Sequence, residues 1–454
     1  MTWYRRRFLK LAGGAGIISL AGCSSSGEND GDGSDSTPSD NSNESAETVV
    51  SPPASQQAKL AADDGNRRDG FGGSVALSAD GETALVGAPR EEEPNGQGAG
   101  AAYVFVRSED TWTQQAKLTA ADGSEDDLFG ISVALSDNGE TALLGADLED
   151  TTARGTGAAY VFTNRDDTWE QDAKLVANDG DQIDYFGSAV ALTGDGATAL
   201  IGAPNDEDPN GENRFEEGAG SAYIFTRNSG SWEQDAKLAA TDGAGGDRFG
   251  GAVAMAGDGA TAVIGSDRTE ATYVFTLSNG SWTQKTKLNP NGAEERVGTI
   301  ATVAVNDTGT TAIVGSFVNP EIDGPRVGSA YVFTSSDGTW TQQAKLSADD
   351  GDEEDLFADS VALSADGSIA LAGASGDDDP NGMRAGSVYV FTSNGETWTQ
   401  QEKLAADDGE ERDRFGGSVA VSGNSGTGLI GASGDEDPNG EDEPNGGGSA
   451  YVFE

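Results

Sequence analysis

From about residue 55 onward, short apolar runs alternate with turns rich in Gly, Asp and Asn, and the alternation repeats over a long period. One unit reads Phe71-Gly72-Gly73-Ser74-Val75-Ala76-Leu77-Ser78, an Asp80-Gly81 turn, then Thr83-Ala84-Leu85-Val86-Gly87-Ala88. After a variable loop come Gly100-Ala101-Ala102-Tyr103-Val104-Phe105, a polar turn, and Trp112-Thr113-Gln114-Gln115-Ala116-Lys117-Leu118. Runs of about six residues, rich in β-branched and aromatic side chains and bounded by turn formers, predict four antiparallel strands per unit. The Phe-Gly position recurs at Phe71, Phe129, Phe186, Phe249, Val297, Phe357 and Phe415. The aromatic-aliphatic-Phe run recurs seven times, ending at Phe105, Phe162, Phe225, Phe275, Phe333, Phe391 and Phe453. Seven four-strand units of this period predict an all-β fold, a seven-bladed β-propeller.

The two ends of the repeat complement each other. Trp-x-Gln-x-x-Lys-Leu follows six of the seven aromatic strands, but Tyr451-Val452-Phe453 has no such partner. Conversely, Gln56-Gln57-Ala58-Lys59-Leu60 has no aromatic strand before it. The N-terminal strand is therefore expected to complete the last blade, which closes the ring without a free edge. A ring that closes on itself points to a monomeric propeller.

The region before the repeat has a different character. Residues 1–22 start with a basic stretch and continue with an apolar run too short for a stable membrane span, which is the pattern of an export signal. Arg5-Arg6-Arg7-Phe8-Leu9-Lys10 resembles a twin-arginine signal, and Leu20-Ala21-Gly22-Cys23 resembles a lipobox whose cysteine becomes the lipidated first residue. Cys23 is the lone thiol of the chain. Residues 23–54 then form a Ser-, Gly- and Asp-rich linker without Lys, Arg or aromatics, which cannot bury enough surface to order itself. Its r.m.s. reach is roughly 30 Å. The domain plan is thus a signal over 1–22, a lipidated tether over 23–54 and a propeller over 55–454. The corresponding location is the outer face of the cytoplasmic membrane, with the membrane itself as one partner through the lipid.

Composition narrows the chemistry. The chain has no histidine and one cysteine, so Ser-His-Asp and Cys-His arrangements, the usual zinc sets and internal disulfides are unavailable. Asp and Glu number 78 against 27 Lys and Arg, a net charge of −51, which argues against nucleic acid as a partner. Seven of the nine lysines occupy one repeated slot: Lys59, Lys117, Lys174, Lys237, Lys287, Lys345 and Lys403. Such a surface repels itself at low ionic strength and resembles that of a haloarchaeal protein.

Phe-Gly followed by Gly-Ala-Pro, as at Gly87-Ala88-Pro89 and Gly202-Ala203-Pro204, resembles the FG-GAP repeat of integrin α-subunit propellers, and more closely its bacterial and archaeal branch. The resemblance implies the same propeller fold, with ligands taken on the face that carries the loops between blades. The integrin-type calcium loop is missing, because the first two strands of each unit are joined by a tight hairpin such as Ser78-Ala79-Asp80-Gly81-Glu82-Thr83.

A feature present in every blade serves the blade, whereas one confined to some blades is a candidate site. Asp-Gly-x-x-x-Asp-x-Phe recurs in six units and is expected to supply turn chemistry. Acidic loops between the second and third strands are less regular: Asp206-Glu207-Asp208-Pro209-Asn210-Gly211, Asp377-Asp378-Asp379-Pro380-Asn381-Gly382 and Asp435-Glu436-Asp437-Pro438-Asn439-Gly440, with a weaker version at Glu91-Glu92-Glu93-Pro94-Asn95-Gly96. Oxygens at positions 1, 3 and 5 with Gly at 6 repeat the opening of a Ca2+ loop, and the first loop also has Glu217 at position 12. The candidate ligands are Asp206, Asp208, Asn210, Glu217, Asp377, Asp379, Asn381, Asp435, Asp437 and Asn439. Asp-Pro-Asn-Gly is equally good turn sequence, so metal binding and plain solvated surface both stand. These loops share a face with the interblade linkers, and ring closure makes those of units six, seven and one contiguous. Candidate glycosylation sequons begin at Asn43, Asn279 and Asn306.

The leading functional expectation is a non-enzymatic surface lipoprotein whose rigid propeller presents the acidic loop face to a protein or glycan. The alternatives are a scaffold subunit of a cell-envelope complex and a carboxylate-based glycan-active enzyme.

Overall fold

The computed structural model describes residues 51–66, 68–206, 218–266, 268, 271–289, 299–317, 328–435 and 447–454. Among them the secondary structure is β-strand throughout, in seven four-stranded antiparallel sheets. The first blade runs Ser74–Leu77, Thr83–Ala88, Ala101–Ser108 and Thr111–Leu118, each strand hydrogen-bonded to the next. The innermost strands of successive blades touch one another all the way round, so the sheets stand radially about an axis. Residues 1–50, where the signal, most of the tether, Cys23 and Asn43 are expected, lie outside the described residues.

The second and third strands of each blade are buried on both faces, which explains their near-continuous apolar runs. Alternation sends successive side chains to opposite neighbours. Leu85, Ala102 and Val104 pack with Phe129, Leu144 and Tyr160 of the second blade. Val86, Tyr103 and Phe105 pack with Leu429, Ala450 and Val452 of the seventh. The hydrophobic core is thus a set of layers between blades rather than a single centre. In six blades the Phe-Gly phenylalanine meets the strand aromatics edge-on; Phe71, for example, lies 5.5 Å from Tyr103 and 5.9 Å from Phe105, ring centre to ring centre.

The glycines of the repeat mark where backbones meet. A Cβ on Gly87 would stand 2.2 Å from the carbonyl oxygen of Gly130, the Phe-Gly glycine of the next blade. That same carbonyl accepts the hydroxyl of Ser74 at 2.8 Å. The Gly-Ala-Pro glycine of one blade and the Phe-Gly glycine of the next are therefore the two halves of one interblade contact.

Closure follows the expected route. Gln56–Leu60 pairs antiparallel with Ser449–Phe453, making the sheet whose inner strands are Ser418–Val421 and Gly428–Ala432. The Glu454 carbonyl accepts the amides of Ala54 and Ser55, and Arg107 of the first blade ion-pairs with the Glu454 side chain.

The two ends of the ring differ. At one end the tight hairpins joining first and second strands are linked to one another by backbone hydrogen bonds around the axis. Ala79 donates to Asp137, Asp137 to Gly194, Gly194 to Gly257, Asp258 to Asp307, Asp307 to Ala365, and Asn424 to Ala79, at 2.9–3.2 Å. At the other end lie the interblade linkers and the loops between second and third strands.

Candidate functional site

Where both are described, a linker runs beside the preceding blade's loop as a short parallel ribbon. Asp126, Leu128 and Phe129 donate their amides to Gln97, Gly98 and Ala99, and Ile183 and Tyr185 donate to Arg154 and Gly155. These ribbons set the geometry of the linker face.

Beneath them the repeated lysine explains its own recurrence. Lys117 leaves the outer strand and passes over the Tyr103 ring at 5.5 Å, and the equivalent lysine–tyrosine distances in all seven blades lie between 5.1 and 5.7 Å. Its ammonium reaches Asp64 in the linker at 2.6 Å and Glu91 in the loop at 3.3 Å. The Tyr103 hydroxyl donates to the same two carboxylates, at 2.9 and 3.1 Å. Burial opposes the charge on Lys117, but its two carboxylates overcome that and raise its pKa. Among the described residues the cluster ties together outer strand, linker and loop in five blades, at Lys59, Lys117, Lys174, Lys237 and Lys403, which local spacing alone did not reveal.

The second Asp of the linker motif does the expected turn work. Asp69 accepts the Asn66 amide at 2.5 Å, Asp184 that of Asp181 at 2.6 Å, and Asp413 that of Glu410 at 2.6 Å. These carboxyls are 2% exposed. Burial, with Glu91 beside it, pushes Asp69 up to about 8. Burial also raises Asp184 and Asp413 to about 7 and Asp127 to about 6.

The acidic loops use their first residues in the same cluster. Asp206 accepts Tyr223 at 2.5 Å and pairs with Lys237 at 2.8 Å. Asp377 accepts Tyr389 at 2.9 Å and pairs with Lys403 at 2.9 Å, and Asp435 accepts Tyr451 at 2.8 Å and pairs with Lys59 at 2.9 Å. Asp379 points outward with its side chain 85% exposed, and Asn381 donates its amide to the Ala406 carbonyl at 2.9 Å. Asp377 and Asp379 both face the Lys403 ammonium, at 2.9 and 4.0 Å, while Asn381 turns to the neighbouring linker. Among the described residues no three acidic side chains are grouped to hold a metal. Asp208, Asn210, Glu217, Asp437 and Asn439 lie outside the described residues.

The sequon at Asn306 needs correction. Asn306 is 2% exposed, and its amide oxygen accepts Thr310 and Thr311 amides at 2.9 and 2.8 Å while its nitrogen donates to Thr308. It is the cap of a hairpin, in the slot held by Ser78 and Ser136 elsewhere, and has no room for a glycan. Asn279 sits exposed at a turn between third and fourth strands.

The junction of the second and third blades holds a cavity of about 620 Å3 on the linker face. Arg154, Tyr185, Ile183, Leu128 and Leu148 line it, with acidic side chains from both loops. None of these was singled out by motif. The available signal was the repeat itself: the chain has nine tyrosines, and Tyr185 is the one within the propeller that falls outside the strand slot.

The FG-GAP repeat model matches residues 54–105, 112–162, 169–225, 232–275, 340–391 and 398–453, well over half of the chain. The unmatched stretch contains the fifth unit, where the Phe-Gly position is Val297. Among solved structures, the chain resembles the periplasmic gluconolactonase of Pseudomonas aeruginosa at 12% identity and TM-score 0.49, over 74% of this chain and 86% of that one. A putative 6-phosphogluconolactonase from Bacteroides fragilis is similar at 12% identity and TM-score 0.49, over 74% and 85% of the two chains. Neither likeness bears on activity. No curated protein is significantly similar in sequence.

Proposed function

We propose that this chain, which belongs to the FG-GAP repeat family, is a non-enzymatic cell-surface lipoprotein whose propeller offers its linker face to a protein or glycan partner. The observation that carries this reading is where the blades differ from one another. At the hairpin end the turns are alike and bonded into a chain around the axis. At the linker end the loops vary in length and charge, and a cavity interrupts the repeat. A rigid scaffold with variable loops at one end is how binding sites are commonly carried.

The route of the chain supports the same orientation. Ser55 is bonded to Glu454, and Gln56–Leu60 runs from there toward the linker end. A tether from a lipidated Cys23 would join the propeller at the hairpin end, opposite the linker face. The buried carboxyls are engaged by tyrosine, lysine or backbone amides, which favours a structural over a catalytic role for them.

The test is binding of the labelled full-length chain to cell envelopes that lack it. A bulky thiol adduct on Asp379→Cys, on the linker face, is expected to block binding, and the same adduct on Asn279→Cys, at the hairpin end, to leave it intact. Equal binding by both, or the reverse, overturns the reading.

A further inference from the structure

We propose that the cavity between the second and third blades is a carbohydrate site taking one or two neutral sugar units; the inference rests on the platform reading above and names the ligand class. Its volume of about 620 Å3 suits a small-ligand site, and it opens on the linker face between the linker 124–128, the loop 148–155 and the next linker at Ile183–Tyr185.

Two departures from the repeat meet there. The residue before the Phe of the linker motif is Gly70, Leu128, Arg248, Leu356 or Arg414 in other blades, and Tyr185 here. Tyr185 has φ 58, the left-handed conformation that Leu128, Arg248, Leu356 and Arg414 also take at this position, so the departure is the ring itself. Its amide bond to Gly155 at 3.2 Å holds it there, and its ring lies 3.6 Å from the place a Gly155 Cβ would occupy. Arg154 precedes that glycine. Among the described residues, the Tyr185 hydroxyl and the Arg154 guanidinium have no hydrogen-bond or ion-pair partner. The strand tyrosines Tyr103 and Tyr160, by contrast, donate their hydroxyls to carboxylates.

The lining selects among ligands by charge. An anionic ligand would be opposed by the carboxylates, Glu125, Asp126, Asp127, Glu149 and Asp150, which outnumber Arg154; a cationic peptide is the competing ligand, and oligolysine is the probe for it. A neutral polyol uses both sets, with hydroxyls donating to the carboxylates and accepting from the guanidinium. The Tyr185 ring and Ile183, 40% exposed, offer an apolar platform for the C–H face of a pyranose.

The experiment screens the full-length chain, in high KCl, on an array of neutral, uronic and sulfated oligosaccharides with oligolysine peptide as a further probe. The strongest ligand is then titrated calorimetrically. Neutral oligosaccharides are expected to bind, with affinity about tenfold lower in Tyr185→Ala and Arg154→Ala and largely kept in Tyr185→Phe. Matching melting temperatures guard against misfolding, and Tyr185→Phe keeps the test decisive if the alanine variant is unstable: its retained affinity depends on the ring. The inference falls if neutral sugars do not bind, if Tyr185→Ala binds them as wild type does, or if oligolysine is the ligand lost in Tyr185→Ala. If envelope binding survives any of these results, the platform reading stands and the sugar site alone is rejected. If envelope binding itself is absent, the platform reading fails independently.

Discussion

Lys59, in the first strand of the propeller, lies 2.9 Å from the carboxylate of Asp435, in the last loop before the final strand. The pair repeats within the closing blade what Lys117 and Glu91 do within the first. Here the two partners come from opposite ends of the chain, so the cluster also fastens the ring.

Replacing Lys59 by Met should therefore destabilise the propeller by about 1–3 kcal/mol, below the range for a fully buried pair because the lysine side chain is partly exposed. Lys117→Met should cost a similar amount. Amide exchange at Tyr451–Phe453 should accelerate in Lys59→Met alone. Unchanged exchange there would mean the strand pairing closes the ring without help from the ion pair.

The buried linker carboxyls make stability depend on pH. Asp69, Asp184 and Asp413 have folded pKa values above the ordinary carboxylate range, so between about pH 4 and 8 the folded state binds more protons than the unfolded one. Stability should fall as pH rises from 5 to 8.5 at constant high salt, read as a lower thermal midpoint. Asp69→Asn, which keeps the acceptor for the Asn66 amide and cannot ionise, should flatten part of that slope. A midpoint indifferent to pH would contradict the assignment.

Gly87→Ala should be far more damaging than its size suggests. The added carbon would stand 2.2 Å from the Gly130 carbonyl, and neither backbone can yield without separating two blades. A loss of about 3 kcal/mol or more is expected. Gly280→Ala, at a hairpin tip with open space and φ 74, should cost only the backbone strain of about 1 kcal/mol. Urea denaturation of the two variants compares them directly, and equal losses would remove the interblade contact as the reason for the glycine.

Calcium titration of the full-length chain in high KCl should give no saturable heat attributable to Asp377, because that carboxylate is held by Tyr389 and Lys403. Asp377→Asn should instead lower the melting temperature, with or without EDTA. A saturable heat abolished in Asp377→Asn would restore the cation reading.

The fold was legible because each blade states it again. Seven copies of the aromatic-strand pattern fix the strand count, and the unmatched Gln56–Leu60 and Tyr451–Phe453 foretell their pairing. The site was harder to read because its partners are remote in sequence. Asp64 meets Tyr103 and Lys117 from 39 and 53 residues away, and no local spacing reports that meeting. For the same reason Asp206 and Asp377 looked like the first oxygens of cation loops, while the tyrosines that claim them sit on neighbouring strands. Asn306 read as a sequon from its tripeptide, and its place as a hairpin cap, in the slot of Ser78 and Ser136, emerged only with the structure. Tyr185 escaped notice because it breaks a repeat without forming a motif.

The strand that closes the ring also has a mechanical meaning. Gln56–Leu60 enters at the hairpin end and runs lengthwise toward the linker end, paired with Ser449–Phe453 by hydrogen bonds that lie across its direction. On the proposed reading, tension between a membrane tether and a partner on the linker face would pull along that strand. The ladder would then be strained in shear, with its bonds resisting together instead of parting one after another like a zipper. A protein anchored in this way yields late under a steady pull, and its first step of failure is the loss of the outer strand of one blade.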